Sequence, residues 1–481
     1  MFIFSRIPLF KKEKGKLFIC GIGGIGTSGL ALLARSCGYD VYGSNEEENS
    51  NTQKLQQLGI NVKIGHSPEN LGDCDIFVYS RAIDLSTNVE AIEAKARQIV
   101  MCERGVMLAD LMLNYFNIVV AGSHGKTTTT GLIGNMLDKL NEKPNILIGG
   151  VLNECDINCK LGDKRYFVVE SDESDGSFLG MPANIGVITS IDPEHMEFYK
   201  TVDNLEYYFH RFARKIIDNG GFVVVCIDDK IGIDIAKKYE NNDRMITYSA
   251  HNKAADFFYE NIKFKKDGIV FDVYNNFTKS YKRDVYLTNM FGEINALNLL
   301  AVFAIGHILN KNVDDVAKTF SVFKGIQKRF TVVGKCRDTI VVDDYAHNPQ
   351  KINSAIGSAR HYMQCNGLNG KLTVIFEPHR YTRVRDSMDL FSEVLSKADN
   401  VIVLPIYASS EREIEGIDQN YVVRKCKERN NNVFECKLDI NDVKKKLNEI
   451  GAFGVDNIIV VMGAGRSSKF AHQIIEESNV C

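Results

Sequence analysis

The chain has 481 residues, with 58 Lys plus Arg against 61 Asp plus Glu and a formal charge of -3, a length that exceeds a single core and calls for two to four domains. The near balance of charge removes any global electrostatic drive toward nucleic acid or an anionic membrane, and no apolar run approaches the roughly 20 residues that span a bilayer. Twelve cysteines are scattered without close ligand spacing and read as reduced thiols; Cys155 and Cys159, the nearest pair, lack a second pair or a neighbouring His to complete a zinc site. Met1 to Lys16 has a short apolar patch and a Lys cluster but no signal-peptide pattern, so a soluble, cytoplasmic protein is expected.

The first strand is predicted at Leu17 to Cys20, followed by the turn Gly21-Ile22-Gly23-Gly24-Ile25-Gly26 and a helix over Thr27 to Cys37. Further strands are predicted at Val41 to Gly43 and Ile76 to Ser80, and this alternation implies a parallel sheet. A G-x-G-x-x-G turn between strand and helix suits a pyrophosphate. The acidic ribose ligand of a dinucleotide enzyme belongs some 20 residues later, where Gly43-Ser44-Asn45 stands with Glu46 close behind. NAD and a UDP-linked sugar carry the same diphosphate, so the turn alone chooses neither.

A second block opens near Asn117. The apolar run Ile118-Val119-Val120 leads into Ala121-Gly122-Ser123-His124-Gly125-Lys126-Thr127-Thr128 and then a helix. Small residues there let backbone N-H groups close around phosphate oxygens, Lys126 reaches the terminal phosphates, and the Thr127 hydroxyl suits Mg²⁺. The loop is a shortened GxxGKTT, because Val120 stands where the usual P-loop has its first glycine. After the strand Tyr166 to Val169 come Glu170, Asp172, Glu173 and Asp175, and after Ile185 to Thr189 comes Asp192-Pro193-Glu194-His195. Carboxylates at strand ends next to a phosphate loop suit a hard cation. Met245 to Tyr286 reads as an antiparallel excursion, and the helix after it, Glu293 to Leu309, carries Asn295 and Asn298 on one face, either to read an adenine edge or to cap the helix.

A third block opens near Phe330 and shows strands at Thr339 to Val342, Leu372 to Phe376, Val401 to Leu404 and Asn457 to Met462. Two of them end in Asp343-Asp344-Tyr345-Ala346-His347-Asn348-Pro349 and Glu377-Pro378-His379-Arg380-Tyr381-Thr382-Arg383. The His379, Arg380 and Arg383 cluster suits a carboxylate or phosphate.

Taken in order, the G-x-G-G-x-G turn, Gly65-His66, Ser80-Arg81-Ala82-Ile83, the short P-loop, E-x-D-E-S-D, Glu194-His195-Met196, N-x-x-N, Lys328-Arg329-Phe330 and D-D-Y-A-H resemble the Mur ligase family across nearly the whole chain. The string Pro378 to Arg383 is similar to its alanine-adding branch. The resemblance implies an α/β fold of three domains: a Rossmann-like UDP-sugar domain over 1–112, a central P-loop ATPase-like domain over 113–326 and a Rossmann-like amino-acid domain over 327–481. It implies an ATP- and Mg²⁺-dependent ligase that activates the lactyl carboxylate of UDP-N-acetylmuramate as an acyl phosphate and passes it to L-alanine, acting as a monomer or homodimer with neither nucleic acid nor stable membrane insertion.

On the matching positions, Gly122, Ser123, His124, Gly125, Lys126, Thr127, Thr128, Asn295, Asn298, Arg329 and Asp344 would bind ATP. Thr127, Glu173 and His195 would hold the metal, with Glu170 as a second acid. Gly21, Gly23, Gly24, Gly26, Ser44, His66 and Ser80 would take the UDP-sugar, and Tyr345, His347, His379 and Arg380 the amino acid. Lys126, Glu173, His195 and Arg380 form the expected catalytic set. The chain departs from the family pattern at Asn45, Ile294, Asn348 and Arg466, and His210 stands where other branches carry a modified lysine. Two alternatives stand at this point: a family member that adds a different amino acid or a recycled peptide, and a nucleotide-binding protein without ligase activity. An NAD oxidoreductase leaves the P-loop unexplained, and a GTPase lacks its guanine-reading N-K-x-D.

Overall fold

The structure is a computed structural model; it describes residues 15–154, 157–163, 165–174, 176–409 and 411–476. Cys155, Asp175, Cys481 and the N-terminal Lys cluster lie outside the described residues. Runs of Val, Ile, Leu and Phe buried on both faces, bounded by Gly and polar turns, make the strands of three α/β sheets, because a strand covered by helices on both sides has no face to give to water.

The first sheet contains β1 (Lys16–Cys20), β2 (Asp40–Asn45), β3 (Asn61–Ile64), β4 (Ile76–Tyr79) and β5 (Val100–Glu103), in the order 3-2-1-4-5 and parallel throughout. The order reverses between β1 and β4, which opens a crevice beyond their carboxyl ends. Gly43 in β2 abuts the Ile19 carbonyl so closely that any Cβ would collide with it.

The second sheet has ten strands: β6 (Phe116–Ala121), β7 (Asn145–Leu152), β8 (Ile157–Lys160), β9 (Tyr166–Glu170), β10 (Ile185–Ile188), β11 (Phe222–Cys226), β12 (Met245–Ser249), β13 (Phe257–Lys265), β14 (Gly268–Asn275) and β15 (Ser280–Thr288). Their order is 15-14-13-12-11-10-6-9-7-8. β6 lies between β10 and β9, parallel to both, with Val120 opposite Glu170 and Ala121 opposite Ile188. The antiparallel excursion expected from Met245 begins later, because β12 pairs parallel with β11 and β13 parallel with β12. Alternation of apolar and polar residues does not encode strand direction; the crossover helix Lys230–Lys238 between β11 and β12 does.

The third sheet contains β16 (Thr331–Cys336), β17 (Thr339–Asp344), β18 (Leu372–Phe376), β19 (Asn400–Val403), β20 (Val433–Glu435) and β21 (Ile458–Met462), in the order 16-17-21-18-19-20. Only its edge hairpin β16–β17 is antiparallel. The architecture is thus a three-sheet α/β fold with one parallel and two mixed sheets.

The chain divides into two compact units: 1–259 with 273–282 and 297–320, and 260–272 with 283–296 and 321–481. In the first unit the first two sheets share one apolar core that runs from Leu17 and Ile19 through Leu147 and Phe167 to Phe212. In the second, helices cover both faces of the third sheet, with Val342, Val374 and Val460 facing one side and Val341, Ile375 and Ile459 the other.

Candidate functional site

The P-loop joins β6 to the helix Lys126–Lys139. Gly125 caps that helix at φ +77 and offers no side-chain cap, so the first-turn N-H groups lack the hydrogen bond that a Ser or Asp cap would supply. Gly122 sits at φ +132 against Thr189 and Ser190, and Gly125 against the Asn298 side chain; a Cβ at either place would collide. The loop is shaped by the end of β10: Ser123 N-H donates to the Ser190 carbonyl at 2.7 Å, His124 N-H to Ser190 Oγ at 3.1 Å and Asp192 N-H to Ser123 Oγ at 2.9 Å. His124 Nε2 pairs with Asp192 at 3.0 Å.

Lys126 is nearly buried. Its Nζ donates to the Gly122 carbonyl at 2.6 Å and to Glu173 Oε1 at 2.8 Å, and lies 2.7 Å from Glu173 Oε2. Oε2 makes no hydrogen bond, so the second contact is an ion pair outside hydrogen-bonding direction. Burial alone would pull the Lys126 pKa down, but the charges of Glu173 and Glu170 outweigh it and hold the ammonium above its ordinary value. Burial would raise Glu173, but Lys126 and His195 hold it below the usual carboxylate range. His195 lies 3.6 Å from Glu173 and is held above its ordinary value by that neighbour, against its burial. Its backbone is left-handed, φ +57, a strained conformation for a non-glycine that the surroundings must enforce.

Glu173, Glu194 and His195 bring one ligand atom each to within 4.8 Å of one another. Thr127, expected at the metal, donates to Glu170 Oε1 at 2.9 Å, and the other Glu170 oxygen accepts from Gly149 N-H at 2.6 Å. Two carboxylates and an imidazole at the end of a phosphate loop fit a hard divalent cation. Glu194 was not singled out from the sequence, although its place beside His195 was the available signal. Asp192, Thr189 and Ser190 as loop supports had none.

In the first sheet the glycine turn is closed by Asn45, whose Oδ1 accepts from Gly23 N-H at 3.0 Å. The departure at Asn45 therefore braces the turn. Ser44 Oγ and His66 Nδ1 lie 3.0 Å apart and both reach the fully buried Glu90 carboxylate, at 2.6 and 2.9 Å. Ser80 follows β4 across the crevice, its carbonyl accepting from Ile83 N-H.

Three family models match in chain order: "Mur ligase family, catalytic domain" over 17–116, "Mur ligase middle domain" over 120–306 and "Mur ligase, glutamate ligase domain" over 328–465. A UDP-N-acetylmuramate--L-alanine ligase of Chelativorans sp. (strain BNC1) is 35% identical over 470 residues, 96% of this chain and 98% of that protein. The chain belongs to the Mur ligase family. The same enzyme name is carried by a Methylorubrum populi protein at 36% identity, covering 96% of this chain and 97% of that one. Among solved structures, a UDP-N-acetylmuramate-alanine ligase from Thermotoga maritima superposes with a TM-score of 0.81 at 25% identity over 97% of this chain and 99% of that one. A murein peptide ligase from Psychrobacter arcticus shares the fold, with a TM-score of 0.70 at 22% identity over 97% and 99%.

The Mur ligase motifs of the third sheet lie at its carboxyl edge, in the second unit. Asp344 is buried and accepts from the N-H groups of Phe330 at 2.7 Å and Ala346 at 2.8 Å; burial pushes its pKa up. The Arg329 guanidinium lies 5.5 Å from the Tyr345 ring centre. His347 Nδ1 is 2.8 Å from the Tyr345 carbonyl, and its ring lies 5.4 Å from that of His379. Arg383 meets His379 Nδ1 at 3.0 Å. Burial, reinforced by Arg383 and Arg380, lowers His379 to about 4, and burial takes His347 well below its usual value. Both rings are neutral at neutral pH. Arg380 is held by Glu411, Nε to Oε1 at 2.7 Å, a partner 31 residues away that the motif did not indicate. Asn348 caps the helix Pro349–Asn366 through Lys351 N-H at 2.9 Å, so that departure has a structural role, while Arg466 is exposed. Asn295 donates to the Phe291 carbonyl at 2.7 Å; it falls in the second unit and Asn298 in the first.

Proposed function

We propose that the protein is an ATP-dependent ligase that joins L-alanine to the lactyl carboxylate of UDP-N-acetylmuramate in peptidoglycan precursor synthesis, in the cytoplasm. The observation that carries this reading is the agreement of full-length relatives at 35–36% identity on one enzyme name, joined to a P-loop whose lysine is already aligned by a buried carboxylate.

In this reading the carboxylate oxygen attacks the γ-phosphorus of ATP and ADP leaves; the alanine amine then attacks the acyl carbon and phosphate leaves. Phosphoryl transfer rests on positioning and charge neutralisation more than on covalent help from the protein. Loop N-H groups of residues 125–128 grip the β and γ oxygens, while those of Ser123 and His124 hold the loop to Ser190. Lys126 exchanges Glu173 for the γ-phosphate, gaining a partner of greater charge. Mg²⁺, when held by Thr127, Glu173 and His195 with Glu194 beside them, supplies neutralisation of the phosphate charge. Asn298 backs the loop. Gly21, Gly23, Gly24 and Gly26 give the diphosphate of the sugar nucleotide close backbone approach, with Ser44, His66 and Ser80 around it. Neutral His347, whose Nδ1 donates to the Tyr345 carbonyl, accepts the incoming ammonium's hydrogen bond at Nε2 without repelling it, while Arg380 and Tyr345 address the alanine carboxylate and His379 braces Arg383.

The deciding measurement is phosphate release with Mg-ATP, UDP-N-acetylmuramate and each of the twenty amino acids in turn. Strict dependence on L-alanine supports the reading; release only with a peptide moves the protein to the recycling activity.

A further inference from the structure

Besides the P-loop cluster, one other group of metal-ligating side chains converges among the described residues: Cys20, His66 and Glu90, with one ligand atom each inside 4.8 Å. Cys20 ends β1, His66 follows β3 and Glu90 opens the helix Val89–Ala96. They meet because the parallel register sets Cys20 beside Ser44 and Tyr79, which aligns the carboxyl ends of β1, β2 and β4. Sequence spacing gave no sign of it, since the ligands stand 46 and 70 residues from Cys20.

We propose that Cys20 Sγ, His66 Nδ1 and Glu90 Oε2 form a site for a thiophilic divalent cation of the zinc class. The three edges measure 3.9 Å from sulfur to nitrogen, 3.2 Å from sulfur to oxygen and 2.9 Å from nitrogen to oxygen. Tetrahedral zinc at ordinary bond lengths requires edges of about 3.3–3.6 Å, so each ligand moves by less than half an ångström. Glu90 is already aimed: Asn70 Nδ2 donates to Oε1 at 2.8 Å and Ser67 N-H at 3.3 Å, which leaves Oε2 toward the sulfur and the imidazole, as outer-shell bonds orient a metal's carboxylate. Oε2 faces Cys20, Ser44 and His66 together, one more donor than a carboxylate oxygen has lone-pair directions.

The charge balance points the same way. Glu90 is fully buried, and its ion-pair partner is His66. On binding, the divalent cation displaces the thiol proton, and the proton that Nδ1 shares with Glu90, to bulk water or to Nε2, so that thiolate and carboxylate cancel its charge beside an unprotonated Nδ1 and the buried cluster becomes neutral. Ser44 Oγ, 3.0 Å from His66 Nδ1, or a water fills the fourth place. The site lies directly beneath the glycine turn, because Cys20 precedes Gly21 and Ser44 precedes the Asn45 that holds Gly23. It does not depend on which amino acid the enzyme adds.

The test is a Co²⁺ titration of the chelator-stripped full-length protein, followed by absorbance. Wild type is expected to develop a thiolate-to-cobalt band and tetrahedral visible bands that saturate at one equivalent and vanish when Zn²⁺ is added. Cys20→Ser and Cys20→Val should both lose the thiolate band while retaining the native circular dichroism, and Glu90→Gln should weaken Co²⁺ binding at least tenfold. The two Cys20 variants guard against a packing failure in either one. A wild-type protein without the band, or a band that persists in a folded Cys20 variant, overturns the site.

Discussion

Lys126 and Glu173 neutralise each other across the mouth of the P-loop, Nζ to Oε1 at 2.8 Å, although 47 residues separate them in the chain. The pair is almost wholly buried, so each charge depends on the other for its place in the fold, and in the proposed reaction the γ-phosphate competes with Glu173 for the ammonium. Lys126→Ala is therefore expected to lower kcat by about 10³-fold or more, the scale of a lost electrostatic contact to transferring phosphate. It should also destabilise the protein by about 3–5 kcal/mol, because an uncompensated carboxylate is left inside. Lys126→Ala combined with Glu173→Gln should recover much of the melting temperature without recovering turnover. Equal melting temperatures for the single and double variants would refute the pairing.

Gly125 caps its helix in the left-handed region and lies against Asn298. Gly125→Ala should carry about 1–2 kcal/mol of backbone strain and shift the loop off the phosphates. Calorimetry should show ATP affinity reduced at least tenfold, with no rescue by Asn298→Ala, since that second change clears the collision but not the φ angle. Restored binding in the double variant would mean that the collision, and not the backbone, set the requirement.

Glu90 fixes the ring of His66 through Nδ1, which leaves Nε2 for a ligand. Glu90→Gln should raise KM for UDP-N-acetylmuramate about tenfold, the scale on which losing the bond that orients a ligand-binding imidazole acts, with kcat within twofold. A fall in kcat at unchanged KM would place Glu90 outside the sugar site.

Asp343 is buried on β17 and burial pushes its pKa up to about 7, against 3.8 unperturbed, with Lys328 only partly offsetting this. Between those two values the folded chain binds more protons than the unfolded one, so ionisation of Asp343 erodes stability as pH rises from about 4 to about 7, and the loss is complete above that. Asp343→Asn should match wild type near pH 4 and exceed it at pH 8, by on the order of 4 kcal/mol. Chemical denaturation at the two pH values reads the difference directly. A stabilisation independent of pH would trace the effect to hydrogen bonding and not to charge.

The local setting of the candidate site is legible in the sequence. Gly122, Gly125 and Lys126 are read from a strand-turn-helix pattern of a dozen residues, and the acidic run and His195 from their places after strands. Less legible was which carboxylate does what. Thr127, expected at the metal, bonds Glu170, the second acidic candidate, and Glu194 stands with Glu173 and His195. Of the departures from the family pattern, Asn45 braces Gly23 and Asn348 caps a helix, roles set by neighbours that the motifs do not contain.

Local sequence sufficed for the three α/β sheets, the glycine-rich strand-to-helix turns and the family, because apolar runs, positive-φ glycines and helix starts are set by neighbours a few residues apart. Tertiary structure alone decided that Lys126 faces Glu173, that Glu411 holds Arg380 and that Cys20, His66 and Glu90 meet. Those contacts exist only once parallel pairing fixes the strand order and register. A shift of a single residue in β9 or β2 would turn the same side chains to the opposite face of the sheet.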